Sequence, residues 1–253
     1  MTVDETQPLS TCGVGPVPVT EMSMLEAVDH LVESAVSRRP VGYHFVNAYS
    51  VACARNDPSY AALLADGGVN FADGRPVLWV QLLRGARRAG QVRGPSAFRL
   101  ALDRGRTQDV SHYFFGCTDE VLEALVNQAK ANYPGVRIAG AFAPPFGPVD
   151  DALVTDATAR IAAADPDIVW VALGTPKQDF AAAALAASTG RPCAAVGAAF
   201  DFLAGTTQEA PRWVRNVGME WLYRLLADPG RLWRRYTIGN FQFVLAIAAR
   251  RRP

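Results

Sequence analysis

Short apolar runs rich in valine, phenylalanine and tyrosine recur along the chain and alternate with longer stretches of helical period. The runs at 43–46, 69–72, 112–115, 136–141, 168–173 and 194–197 predict strands. Between them, 51–64, 76–84, 119–132, 151–164 and 176–187 predict amphipathic helices. This is the rhythm of βα units, so the expected fold class is α/β: a Rossmann-like, mostly parallel sheet with helices on both faces. Thr118 before Asp119 and Glu120 reads as a helix N-cap, and Thr175-Pro176 as an N-cap followed by proline at the first helical position. After Asp201 the pattern changes. Residues 220–226 are helical, Asp228-Pro229 interrupts, and a second helix runs from Pro229 toward Tyr236. The expected organisation is a flexible lead over 1–20, an α/β body over 21–211 and a helical C-terminal appendage over 212–253.

Charge divides the chain at the same place. Residues 212–253 carry nine arginines against two acids, Glu220 and Asp228, together with Trp213, Trp221 and Trp233. The whole-chain formal charge of +1 conceals this. A basic, aromatic, leucine-rich end suggests contact with anions: phosphates, lipid head groups, or both. Arg231, Arg234 and Arg235 share one helical face close to a helix N-terminus, which favours a bound polyanion such as a pyrophosphate. A solvated basic face accounts for them equally well.

Cys12, Cys53, Cys117 and Cys193 form no C-x-x-C pair, and read as incidental thiols in a reducing compartment. No stretch reaches the roughly 18 apolar residues of a membrane span. The early acids of the N-terminus do not fit a signal peptide. A cytoplasmic protein with at most peripheral membrane contact is expected.

In parallel sheets, ligands bind at the carboxyl ends of the strands. Those ends gather Asn47, Asp73-Gly74-Arg75-Pro76, Gly116-Cys117-Thr118, the 144–147 loop and Gly174-Thr175-Pro176-Lys177-Gln178. Asp73, between an apolar strand and a glycine, can be desolvated into a general base, although Asp-Gly is also a common turn. Gln178 is either a site residue or a surface residue in a helix's first turn. Asp165-Pro166-Asp167 resembles a metal-and-nucleotide motif, but it enters a strand and so falls on the opposite edge, as a helix-to-strand turn. His44 and His112, inside strands, read as structural. G-x-G-x-x-G, the P-loop and the G-x-S-x-G elbow are all absent, which argues against a nicotinamide-dependent oxidoreductase.

Seven blocks carry a wider resemblance: VNAYSVACARNDPSYAALL, FADGRPVLW, VRGPSAF, HYFFGCTDEVLEAL, LGTPKQDF, VGAAFDFLAGTTQEAPRW and MEWLYRLLADPGRLWRRY. Over 41–243 the chain resembles the WecG/TagA/CpsF family, glycosyltransferase family 26. The resemblance implies an inverting, metal-independent enzyme without a cofactor. It would move a hexose or N-acetylhexosamine-type sugar from a UDP donor to a polyprenyl-diphosphate-linked acceptor at the inner membrane face. It implies Asp73 as base, Gln178 as part of the sugar pocket, and Arg224, Arg231 and Arg234 as appendage residues on the leaving diphosphate. Asn47 is expected to support the base and Asp201 to accept a ribose hydroxyl. Gly116, Gly174 and Lys177 are expected in donor binding. The expected partners are the UDP-sugar, the lipid-linked acceptor, an anionic membrane surface and a second copy of the chain, with no nucleic acid. Phe45 departs from the family, where many members have threonine, and implies an altered substrate preference. A transferase acting on a small-molecule acceptor, or a binding homologue without turnover, stays open at this point.

Overall fold

The computed structural model describes residues 9–66 and 68–248. The chain opens on an antiparallel hairpin of β1 (Thr11–Val14) and β2 (Val17–Thr20), followed by α1 (Met24–Val36). Next come β3 (Gly42–Val46), α2 (Ala48–Asn56), α3 (Pro58–Asp66), β4 (Gly68–Ala72), α4 (Arg75–Leu83) and α5 (Gly94–Gly105). The second half of the sheet follows as β5 (Ser111–Gly116), α6 (Asp119–Asn132), β6 (Arg137–Phe142), α7 (Asp151–Ala164), β7 (Ile168–Ala172), α8 (Lys177–Thr189), β8 (Cys193–Ala195) and α9 (Ala199–Ala204). The appendage is α10 (Arg212–Asn216), α11 (Glu220–Ala227) and α12 (Pro229–Ala248).

Six strands form one parallel sheet in the order β4-β3-β8-β7-β5-β6. Its inner strands are apolar without alternation because both faces are covered. Phe45, Phe114 and Trp170 point into one core with Phe98 and Phe200. Their strand neighbours Tyr113, Phe115, Val169 and Val171 point into the opposite one, against α7 and α8. The Rossmann-like expectation is met.

Local rules explain the departures from the sequence reading. Residues 51–64 form two helices, because Pro58 has no N–H and Asp57 turns its carboxylate to the Ser59 and Tyr60 amides. The unpredicted α1 carries a capping box: Glu26 N donates to Ser23 Oγ and Ser23 N to Glu26 Oε2. Pro176 itself, not Thr175, occupies the N-cap position of α8. The flexible lead expected over 1–20 does not hold from Thr11 onward, where the hairpin buries Val14, Val17 and Val19 under α4 and α12. Residues 1–8 lie outside the described residues.

The appendage lies across the body. In α12, Phe243 and Ala246 are buried with the hairpin valines, and Gly239 lets the helix pass against Tyr49 of α2. Gln242 Oε1 accepts from Asn56 Nδ2 (2.8 Å), and Arg84 donates to the carbonyls of both Gly13 and Ile247. No described helix is long and apolar enough to cross a membrane.

Candidate active site

Asp73 follows β4 directly, where its main chain is held from both sides. Its N–H donates to Val46 O (2.9 Å), and its carbonyl accepts from Gln91 Nε2 (2.7 Å). The Asp73 carboxylate accepts from Gly94 N (2.9 Å) at the start of α5. Burial raises its proton affinity above the usual carboxylate range. The Gly94 hydrogen bond opposes this, Glu220 adds to it, and Arg93 and Arg224 pull the other way without reversing it. Raised proton affinity is the property a carboxylate needs to serve as a general base.

Glu220 and Arg224 come from the appendage. Arg93 grips Glu220 with two bonds (2.9 and 2.8 Å) and also donates to Glu209. Glu209 in turn pairs with Arg99 (2.8 Å) and Arg215 (3.1 Å). Burial works against the charge on Arg93, but Glu220, then Glu209 and Asp73, more than restore it. Two guanidiniums stand over the Phe202 ring: Arg224 Cζ is 5.1 Å from its centroid and Arg93 Cζ 5.6 Å. Arg224 forms no ion pair among the described residues, so its charge is left for something else.

Two cavities meet at Asn47, Asp73, Glu220 and Arg224. The smaller, about 100 Å³, sits over the ends of β3, β7 and β8, with Gly174, Gln178, Gly197 and Phe202 in its walls. The larger, about 390 Å³, lies between α4 and the appendage. At their junction Asn47 Oδ1 caps α2 by accepting from Tyr49 N and Ser50 N, which leaves its NH2 group for a ligand.

The structure therefore brings together Asn47, Asp73, Gly174, Gln178 and Arg224. Gln178 is buried and no surface residue: its Oε1 accepts from Gly174 N (3.1 Å) and its Nε2 donates to Ala195 O (3.0 Å), bracing two loops of the small cavity. Its neighbour Asp179 bonds His44 Nδ1 (3.0 Å) and Tyr60 Oη (2.9 Å), pinning α8 to the sheet. Phe45 is buried and stands in the small cavity's wall, where it offers no hydroxyl.

Three expected donor residues line neither cavity. Gly116 has φ +125°, and a Cβ there would meet Ala172 O at 2.3 Å, so its glycine serves the close approach of β5 to β7. Lys177 donates to Gly147 O (2.9 Å) and lies over the Phe146 ring. Asp201, in the first turn of α9, accepts from Thr206 Oγ1 (3.4 Å). The side chains of Arg231 and Arg234 lie outside the described residues. Arg75, already placed at a strand end by the sequence, lines the larger cavity, whereas sequence reasoning missed Arg93, Gln91, Arg215 and Glu220 as site residues. Arg93 lay in the VRGPSAF block, Glu220 was the acidic exception in a basic tail, Arg215 was one cation of that tail, and nothing local marked Gln91.

A buried acid at a strand end, with an appendage arginine beside it that forms no ion pair among the described residues, is an arrangement suited to a group-transfer enzyme of the α/β class. The chain belongs to the glycosyl transferase WecG/TagA/CpsF family, whose model matches residues 12–253. It is similar to the N-acetylglucosaminyldiphosphoundecaprenol N-acetyl-beta-D-mannosaminyltransferase of Bacillus spizizenii, with 31% identity over 186 residues, 72% of this chain and 69% of that protein. It is also similar to the enzyme of the same name from Bacillus subtilis, with 26% identity over 225 residues, 87% of this chain and 84% of the relative. The chain is thus a glycosyltransferase.

Proposed function

We propose that this enzyme transfers a hexose or N-acetylhexosamine-type sugar from a UDP-sugar to a polyprenyl-diphosphate-linked acceptor, with inversion and without a resident metal. The observation that carries the reading is the position of Asp73 where two cavities of different character meet, with Arg224 beside it. The names of the relatives support a glycosyl-diphosphate-lipid acceptor and an N-acetylhexosamine as the transferred sugar.

In this mechanism the donor sugar occupies the small cavity over the strand ends. The acceptor hydroxyl approaches from the other side and gives its proton to Asp73 as its oxygen bonds to the anomeric carbon. The bond from that carbon to the donor phosphate breaks on the opposite face, and its electron pair leaves with UDP. The developing negative charge meets Arg224, and the family resemblance implies a part for Arg231 and Arg234 as well. The Phe45 wall favours a sugar that presents an apolar face there. Exposed Trp213, Leu226, Trp233 and Phe241 among the arginines support a peripheral seat on an anionic membrane surface.

The test is UDP release from a panel of UDP-sugars offered with a sugar-diphosphate-polyprenyl acceptor, alongside thermal shifts with UDP-, GDP- and TDP-sugars. Acceptor-dependent UDP release and stabilisation by a UDP-sugar are expected. Stabilisation by another nucleotide sugar alone rejects the donor assignment, and release without an acceptor product rejects transfer.

A further inference from the structure

The larger cavity has a chemistry of its own. Its walls are apolar and aromatic: Pro76 and Trp79 from α4, Tyr49 from α2, Trp221 from α11, and Tyr236 and Phe243 from α12. Cations gather on the same lining, where Arg75 and Arg215 each keep a buried Nε without a hydrogen-bond partner. Arg75 forms no ion pair among the described residues, and Arg215 has only the edge of Glu209. Both side chains put positive charge on the cavity lining, where an anion would be favoured.

The appendage builds this cavity by a close fit. Gly218 has φ +77°, and a Cβ there would stand 3.3 Å from Arg75 Cβ and 3.4 Å from Trp79 Cη2. The turn between α10 and α11 therefore rests on the stems of the residues that supply the charge and the aromatic wall. Outward from the cavity the apolar character continues. Trp79, Leu82 and Leu83 of α4 are exposed, as are Phe241, Val244 and Leu245 of α12, and Trp79 and Val244 belong to both the lining and the exposed rim. An apolar path thus runs from Asp73 to the surface with a cationic inner end.

We propose that this cavity holds the acceptor's lipid diphosphate, with the diphosphate at Arg75 and Arg215 and the first isoprene units between Trp79, Trp221 and Phe243. The assignment rests on the glycosyl-transfer reading and gives each cavity one substrate. A nucleoside needs hydrogen-bond partners around its ribose and base, and these aromatic walls supply few. An isoprenoid needs none, and its diphosphate is an anion suited to the arginines of the same lining. The acceptor sugar then extends from that diphosphate toward Asp73. The apolar rim lets the remainder of the lipid leave without crossing a polar surface.

Farnesyl diphosphate, which carries no sugar, separates this proposal from the function it rests on. It should quench the fluorescence of Trp79 and Trp221, compete with the lipid acceptor and leave UDP-sugar binding unaffected. One sugar diphosphate made as its farnesyl and methyl esters should differ at least a hundredfold in kcat/KM, since each buried methylene contributes about fourfold. Trp79→Ala should narrow that ratio. Arg75→Gln should raise the acceptor KM tenfold or more while the thermal shift given by UDP-sugar, which also reports folding, is retained. Farnesyl diphosphate that fails to bind or displaces UDP-sugar overturns the proposal, as do equal rates with both esters. If farnesyl diphosphate binds as described but no acceptor turns over, the lipid site stands and the transfer reading falls.

Discussion

The two ends of the sheet hold acids and arginines in opposite circumstances. At the amino ends, Asp165 accepts from Arg38 (3.1 and 3.1 Å) and Arg191 (2.6 Å). Asp167 accepts from Ser111 N (2.8 Å), Ser111 Oγ (2.7 Å) and Arg38 (3.2 Å). At the carboxyl ends, Asp73 has one main-chain donor, and Arg75 and Arg224 have no carboxylate partner among the described residues. Burial works against ionised Asp167 as well, but its Ser111 and Arg38 partners outweigh it and hold the carboxyl below the ordinary range. At Asp73 burial wins. Saturated charges hold the fold, and incompletely satisfied ones await a ligand.

The largest test of that contrast is Asp73→Asn, which should lower kcat by about 10²–10⁴-fold, the usual contribution of a general base. It should also raise Tm at pH 7. A carboxyl with raised proton affinity favours the folded state below its unfolded pKa and loses that contribution as pH rises through the folded value, so the gain from the amide should vanish near pH 3. An unchanged rate, or a lower Tm at neutral pH, refutes the assignment. Arg224→Gln comes next, with an expected loss of about 10²–10³-fold in kcat/KM. A rise in donor KM alone would reduce it to a binding residue.

Glu220→Gln should act through pH. Its charge raises the proton affinity of Asp73, so the acid limb of kcat/KM should move to lower pH, and a fixed limb would separate the two carboxylates. Asp167→Asn probes the other end of the sheet. It should cost about 1–2 kcal/mol in denaturant unfolding with kcat intact. Because Asp167 is held below the ordinary range, that loss should appear above its unfolded pKa and fade as pH falls through the folded one. Asp165→Asn, at the exposed end of the same cluster, should change neither kcat nor Tm measurably.

The sheet was legible because strands buried on both faces leave unbroken apolar runs, and Asp73 because it is the acid at the end of one of them. The capping box of α1 is also written in Ser23 and Glu26. Strand order was not legible, and it decides which strand ends share a site. β4 and β5 lie four strand steps apart, about 19 Å at the usual spacing, so Gly116 cannot join a cavity centred on Asp73. Nor could local pattern reveal Arg93, whose partner Glu220 lies 127 residues away. Glu220 looked like an exception within a basic tail; it is one of the residues that seat the tail, clasped by Arg93.

Glu220 and Arg224 stand four residues apart on α11, one turn above the other. The anchor that clasps Arg93 and the guanidinium of Arg224 are therefore mounted on one rigid rod. A departure of that rod would take Arg224 and Glu220 away from Asp73 together, so on the proposed mechanism counter-charge and shelter from water would be gained and lost in a single movement.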